Sequence, residues 1–299
     1  MTGDAYAPRQ TPSVAAVFVT YNRAGLLRET LAATAKSTRA ADEVIVVDNA
    51  STDDTAAMLA AEFPGVTHIR LAANTGAAGG FAAGLRAAEA HGHDWAWLFN
   101  DDDHPVPDAL ATMLARLPEL PDRTAMFASW LIDDTGTVAR LGSGWRDRRL
   151  PLVEPPPGGG PYPVDVLIFA GALVNTAAVR EIGVPKPEYF MMWEEMEYCV
   201  RARRTGWAVY ILPEPLVATL HVGAASAPPW RLYYQSRNHL AMALEHRSPA
   251  EIWHWAVRQA KFTAVTLARQ DRKAARTKAR ALGAWHALRG RTGRTVPPV

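Results

Sequence analysis

From Val14 onward, short apolar runs alternate with longer stretches in which apolar positions recur every three or four residues. The run VAAVFVTY predicts a buried strand, and AGLLRETLAATAKS follows it at helical spacing. EVIVVD repeats the strand pattern, STDDTAAMLAAEF reads as a capped helix, and THIRLA, AGGFAAGLRAAEAHG and DWAWLFND continue the alternation. This order predicts an α/β fold in which a mixed, mainly parallel sheet is flanked by helices. In such sheets ligands sit outside the carboxyl ends of the strands. A polar cluster follows each predicted strand in turn: TYNR, DNASTDD, ANTGAAGG and NDDDH.

Further along, TAMFASWLIDDTGTVARLGSG predicts a strand, a turn at Thr135-Gly136 and a return strand. EPPPGGGPYP is loop, as linker or as flap. VDVLIFAGALVNT reads as another buried strand, AAVREIG as a helix ended by Gly183, and EEMEYCVRARRTG as a helix ended by Gly206. After WAVYILPEPLVATLHVG, the chain from about Pro229 reads as helices.

The 299 residues carry a net charge of only +2, which argues against a nucleic-acid partner for the molecule as a whole. Charge is nevertheless uneven. The stretch RQDRKAARTKARALGAWHALRGRTGR is strongly basic, and reads either as a solvated helix face or as peripheral contact with an anionic membrane. The single cysteine, Cys199, excludes an internal disulfide and fits a reducing compartment. The first residues lack the basic and apolar regions of a signal peptide, and no apolar run is long enough to span a bilayer. The expectation is a cytoplasmic protein, peripheral at most on the inner face of the plasma membrane.

Within NDDDH, an extended backbone would place Asp101 and Asp103 on one face and Asp102 on the other. Two carboxylates sharing a face repel, and a hard divalent cation relieves that repulsion. The competing reading is helix capping ahead of DALATMLARL. Thr20, Tyr21, Asn22, Arg23, Asp48 and Asn74 supply hydrogen-bonding groups suited to a nucleobase and ribose. Gly76, Gly79 and Gly80 permit close backbone approach to a ligand, or serve simply as turn and helix entry; the spacing is not that of a dinucleotide fingerprint. In WEEMEY, Glu194 and Glu195 fall in a first helical turn, where they complement the macrodipole or leave one carboxylate to act as a base. His221 reads as a satisfied histidine or a metal ligand, Arg237 as a surface arginine or a diphosphate clamp, and Trp193 and Trp145 as core or acceptor-sugar platforms.

VFVTYNR, EVIVVDNASTDDT, NTGAAGGFAAGL and DWAWLFNDDDHPVPDAL, in that order, resemble the family 2 glycosyltransferases of GT-A fold. The later FAGALVNTAAVREIGVPKPEYFMMWEEMEYCVRARRTGW is most similar to the galactofuranosyltransferase and rhamnosyltransferase branch. The similarity extends over roughly residues 14 to 240. It implies a nucleotide diphosphate sugar donor, UDP- or dTDP-linked, and manganese or magnesium as cofactor. Asp101 and Asp103 match the ends of the family's D-x-D motif, and Asp101 and Asp102 fall at its ribose and diphosphate contacts. Asp48 matches the acidic residue that reads the base, with Thr20, Tyr21, Arg23 and Asn74 lining the same pocket. His221 matches a histidine that completes metal coordination. Glu195 falls at the catalytic carboxylate, where aspartate is usual, and Glu194 and Glu197 remain rivals.

The organisation expected on this basis is an extended or disordered segment 1–13, a catalytic domain 14–222 and a basic helical extension 223–299. The catalytic domain would divide into a nucleotide-binding half, 14–104, and an acceptor and catalytic half, 105–222. The implied function is inverting, metal-dependent sugar transfer to a glycan or glycolipid in cell-wall or polysaccharide assembly. A transferase that decorates a soluble natural product uses the same chemistry. A nucleotidylyltransferase would want a lysine-containing phosphate loop that TYNRAG does not supply, and a non-catalytic nucleotide-sugar-binding protein is favoured only by glutamate at position 195.

Overall fold

The computed structural model describes residues 11–133, 158–219, 227–269 and 271–298. The expected turn at Thr135-Gly136, its return strand, Trp145 and His221 lie outside the described residues. The chain divides into two compact units, the first comprising Met1–Asn74, Phe81–Val184 and Cys199–Val222, the second Thr75–Gly80, Pro185–Tyr198 and Gly223–Val299.

In chain order the elements are β1 (Val14–Thr20), α1 (Ala24–Thr34), β2 (Glu43–Asp48), α2 (Thr55–Glu62), β3 (Thr67–Arg70), α3 (Gly76–Ala90) and β4 (Trp95–Asn100). There follow β5 (Asp103–Pro105), α4 (Ala109–Ala115), β6 (Thr124–Ile132), β7 (Tyr162–Pro163), β8 (Ala172–Asn175), α5 (Thr176–Ile182), α6 (Glu194–Arg204) and β9 (Ala208–Thr219). Three longer helices complete the chain: α7 (Pro229–Glu245), α8 (Pro249–Arg269) and α9 (Lys273–Leu288).

The first unit is built on one sheet of order β3-β2-β1-β4-β8-β6-β9-β5, with β7 beside β9. The strands β3, β2, β1 and β4 are parallel, as the alternation predicts. β8 then runs antiparallel to both β4 and β6, β6 and β9 are parallel, and β5 and β7 return antiparallel on β9. Every residue of β1 is buried, which explains its unbroken apolar run: a central parallel strand is covered on both faces. Phe18 and Phe99 stack at 4.9 Å across the β1–β4 pair, and the Trp97 indole donates to the Gly171 carbonyl at 3.1 Å.

The expected strand VDVLIFAGALVNT is shorter than its apolar pattern suggests, only Ala172–Asn175 being in β8. The chain turns just before it, at Gly171, with φ of 66°, and a Cβ there would lie 2.4 Å from Val217. Leu167 and Phe169 are buried without being sheet, so hydrophobicity reports burial here and not strand.

Gly84 of α3 faces β1 at a separation that excludes a methyl group, since a Cβ there would stand 2.2 Å from Val17 Cγ1. Alanine is the better helix former by about 1 kcal/mol. Overpacking outweighs that gain, so Gly84→Ala is expected to lower stability by about 1–3 kcal/mol in urea unfolding; a stabilised variant would contradict the close approach.

Candidate functional site

Because β1, β2 and β4 are parallel and in register, their last residues lie along one edge. Thr20 is level with Asp48, and Val19 with Asn100. Chain polarity therefore gathers Thr20, Asp48 and the NDDDH segment. Asp48 is fully buried, with Oδ1 accepting from the Ser51 amide at 2.7 Å. Its Oδ2 makes no hydrogen bond, although His68 Nε2 stands 3.5 Å away.

The three aspartates do not continue β4 as extended chain. Residues 101 and 102 form a turn, and β5 begins at Asp103. The face-sharing expected of Asp101 and Asp103 is thus replaced by a tighter arrangement. Asp101 accepts from Thr20 Oγ1 at 3.0 Å and from Arg23 at 3.0 Å, and Arg23 also reaches Asp102 at 3.3 Å. The Asp101 carbonyl accepts from Thr30 Oγ1 of α1 at 2.8 Å. Asp103 turns its Oδ2 back to the Asn100 amide and side chain, both at 2.8 Å. Its Oδ1 is buried and makes no hydrogen bond. Helix capping does not account for the triplet, since α4 begins only at Ala109 and its cap position is Asp108.

Burial dominates the electrostatics of this edge. It raises the Asp101 carboxyl above its ordinary value, against the opposing charge of Arg23. Asp103 is pushed up to about 7 by burial and by the neighbouring Asp102 charge, with the Asn100 hydrogen bonds pulling the other way. A buried carboxylate with an unspent oxygen is costly, and a cation offsets that cost. Among the described residues no group of three or more His, Cys, Asp or Glu is arranged as a metal site. Asp103 Oδ1 is the donor atom best fitted to one.

The β1–α1 turn joins Asn22 to Ser51 and Thr52, partners that pattern reading passed over. Asn22, with φ of 55°, accepts from the Thr52 amide at 2.7 Å, and its own amide donates to Ser51 Oγ at 2.9 Å. The signal was present in TYNR and DNAST, but which of their polar groups face one another depends on the strand register. Tyr21 is 38% exposed at this turn, and Asn74 is half-buried beyond β3.

In the second unit, Gly76 (φ of 72°) opens α3 beside the Phe190 backbone, where a Cβ would meet the carbonyl oxygen at 1.9 Å. The Ala78 amide donates to that carbonyl at 3.1 Å. A Cβ on Gly79 would run into the Thr75 side chain, and Gly80 is buried. Close approach is real at Gly76, but the protein's own chain fills the space expected for a ligand.

Phe190, Met192 and Trp193 all have positive φ, at 64°, 67° and 74°. Three left-handed non-glycine residues within four positions need external support. Two α7 side chains provide it. Asn238 Nδ2 lies within 3.0 Å of the carbonyls of Tyr189, Met191 and Met192. Arg237 donates to the carbonyls of Glu188, Tyr189 and Gly293, to Thr295 Oγ1 and to Asn238 Oδ1. Arg237 is thus neither a surface arginine nor a diphosphate clamp: it is 1% exposed and its fork is committed to the loop.

That loop delivers the glutamates. Glu194 is 3% exposed, and its Oε2 makes no hydrogen bond. Burial, and then the charge of Glu195, raises its carboxyl well above the ordinary 4.5. Glu195 is half-buried. Glu197 is fully buried, 3.4 Å from His246 and 3.7 Å from Lys186, so a local charge cluster engages it. Trp193 stacks on His239 at 3.8 Å with rings 11° apart.

The description "Glycosyl transferase family 2" matches residues 15–182. The galactofuranosyltransferase GlfT1 of Mycobacterium tuberculosis is 36% identical over 205 residues, 66% of this chain and 66% of that protein. GlfT1 of Mycolicibacterium smegmatis is 33% identical over 204 residues, 66% of this chain and 67% of that protein. The chain thus spans about 66% of the length of the M. tuberculosis relative it matches. Among solved structures, S. aureus TarS 1-349 superposes with a TM-score of 0.62 at 15% identity, over 92% of this chain and 81% of that one. GalNAc-T7 with UDP, GalNAc and Mn2+ superposes with a TM-score of 0.61 at 15% identity, over 79% of this chain and 48% of that one. These two show a shared fold, that of GT-A glycosyltransferases. With more than half of its residues matched, the chain belongs to glycosyl transferase family 2.

Proposed function

We propose that this protein is an inverting, metal-dependent glycosyltransferase. It moves galactofuranose or a rhamnose-like sugar from a UDP- or dTDP-linked donor to a hydroxyl of a glycan or glycolipid acceptor in cell-wall or polysaccharide assembly. The observation that carries the reading is the buried carboxylate edge at Thr20, Asp48, Asp101 and Asp103, in a chain 36% identical to a galactofuranosyltransferase over 205 residues.

Asp48, with its unspent buried oxygen, accepts from a nucleobase N–H, and Thr20, Tyr21, Arg23 and Asn74 line the nucleoside. Asp101 and Asp103 would hold a divalent cation, manganese or magnesium, and His221 would be its third ligand. Such an ion, when bound, acts as a Lewis acid toward the departing diphosphate. Asp101 and Asp102 lie toward the ribose and diphosphate, and Arg23 adds a planar fork suited to phosphate oxygens.

Burial raises the Glu194 carboxyl above its ordinary value, while the adjacent Glu195 is only half-buried and falls at the position of the family's catalytic carboxylate. Glu195 takes the proton of the acceptor hydroxyl. The acceptor oxygen then bonds to the anomeric carbon from the face opposite the breaking bond, which inverts that centre.

The same chemistry would serve a soluble acceptor, but α8 and α9 favour a glycolipid at a membrane surface. Trp253 and Trp285 are 67% and 52% exposed, Leu267 and Leu288 are exposed on the same helices, and Lys261, Lys278 and Arg289 lie on those helices or at their ends. Exposed tryptophans among basic residues suit an anionic interface. Among the described residues no helix is long and apolar enough to cross a membrane.

Glu195→Gln is expected to lower turnover by about 10²–10⁴-fold while UDP affinity, measured calorimetrically, stays unchanged. Turnover at the parent rate would remove Glu195 from the role of base. Asp103→Asn is expected to abolish the manganese-dependent part of UDP binding in a thermal-shift titration, and retention of that dependence would exclude Asp103 as a ligand.

Glu194 also sets a pH dependence. Its unfolded carboxyl ionises near 4.5, whereas the native one keeps its proton to higher pH. Its contribution is fully present below that value and is lost as pH rises, because there the native state holds the extra proton; the loss ends once native Glu194 ionises. Urea unfolding at pH values from about 5 to about 8 should show Glu194→Gln with a flatter decline than the parent protein, and equal slopes would contradict a buried, protonated Glu194.

A further inference from the structure

The inward face of α8 carries a feature that the proposed transfer chemistry does not use. Arg258 places its Cζ 5.0 Å from the Phe262 ring centre and 5.6 Å from that of Trp193. Arg280, from α9, brings its Cζ to 5.2 Å from the same Phe262 ring. Two guanidiniums therefore converge on one aromatic side chain, from two helices of the same unit. Arg280 is 7% exposed, and its Nε is buried without a hydrogen bond. Among the described residues, neither guanidinium has a carboxylate at ion-pair distance or a hydrogen-bond acceptor. The nearby carboxylate of α8, Glu251, is directed to His239 at 3.5 Å and His254 at 3.7 Å.

Ordinary structural arginines in this unit look different. Arg237 commits its fork to carbonyls and a hydroxyl, and Arg276 donates to the Ala227 and Asp271 carbonyls and to the Asp271 carboxylate. Burial lowers the Arg258 pKa, and burial together with the charges of Arg258 and Arg276 lowers that of Arg280. Arginine does not release its proton under ordinary conditions, so this repulsion stays within the fold until an anion offsets it. The aromatic rings supply cation–π attraction but no acceptor lone pairs, and five donors per guanidinium are left for a ligand rich in oxygens.

We infer that Arg258 and Arg280, backed by Phe262 and flanked by Trp193, form a binding site for a phosphate or diphosphate group, built from none of the residues proposed to contact the donor's diphosphate. The planar forks match phosphate oxygens bidentately. A soluble phosphoester and a lipid phosphate headgroup share this chemistry.

The test uses the full chain saturated with UDP, so that the donor site is closed to competing anions, and titrates inorganic pyrophosphate calorimetrically. A parallel arm measures co-sedimentation with phosphatidylcholine vesicles with and without phosphatidic acid. Arg258→Gln and Arg280→Met are each expected to weaken binding by about tenfold or more, the loss of a charge-assisted contact, while UDP affinity and circular dichroism stay unchanged. Arg258 is the less buried of the two and serves as the variant least exposed to a folding defect. Loss in the pyrophosphate arm identifies a soluble phosphate ligand, and loss in the vesicle arm alone identifies a lipid phosphate. Binding of neither probe, or binding that both variants retain at parent strength, would overturn the inference. UDP affinity is read separately, so a failure of the donor reading is distinguishable from a failure of this one.

Discussion

Taking a carboxylate out of water is the constraint around which the first unit is arranged. Asp48, Asp101 and Asp103 are all buried where parallel strands end, and each must find donors or accept an unfavourable charge. Asp101 finds Thr20 and Arg23, Asp103 finds Asn100, and Asp48 finds the Ser51 amide. Asp48 and Asp103 nevertheless retain oxygens without hydrogen bonds. Apolar groups in these places would cost the fold less, and under the proposed function the remaining oxygens are the ones that meet the nucleotide and the cation.

The second unit meets a related demand by different means. Its glutamates follow a loop whose backbone turns left-handed at Phe190, Met192 and Trp193. Such a path persists only where its surroundings fix it, and here the fixing groups are side-chain donors aimed at consecutive carbonyls. Gly293 reinforces them by donating its amide to the Glu188 carbonyl at 2.6 Å, and Tyr234 Oη donates to the Val296 carbonyl at 2.7 Å. The result is an acidic helix start whose position is set by hydrogen bonds and not by apolar packing alone.

The alternation from Val14 to Asn100 was readable because parallel strands and amphipathic helices differ in period, and because chain polarity alone places Thr20, Asp48 and Asn100 at one edge. What followed was harder. The run from Leu167 to Phe169 is apolar because it is largely covered, and burial of irregular chain has no periodicity to betray it. The path of Asp101 and Asp102 could not be read either, since a turn and an extended segment of three aspartates have the same composition. Arg237 shows the same gap: its chemistry was legible, but the identity of its acceptors depends on a loop distant in sequence. Glu194 and Glu195, adjacent and identical in type, differ in burial, which the sequence does not reveal.

The Arg237–Asn238 grip has an evolutionary corollary. The strand-end motifs and the geometry of the acidic loop are encoded in different stretches of chain, the former in residues 20–104 and the latter jointly in 188–193, α7 and 293–296. Drift in the late helices can therefore re-aim the glutamates while every strand-end motif is left intact. Under the proposed function, a change there would alter the acceptor side of the reaction and leave the donor side as it is.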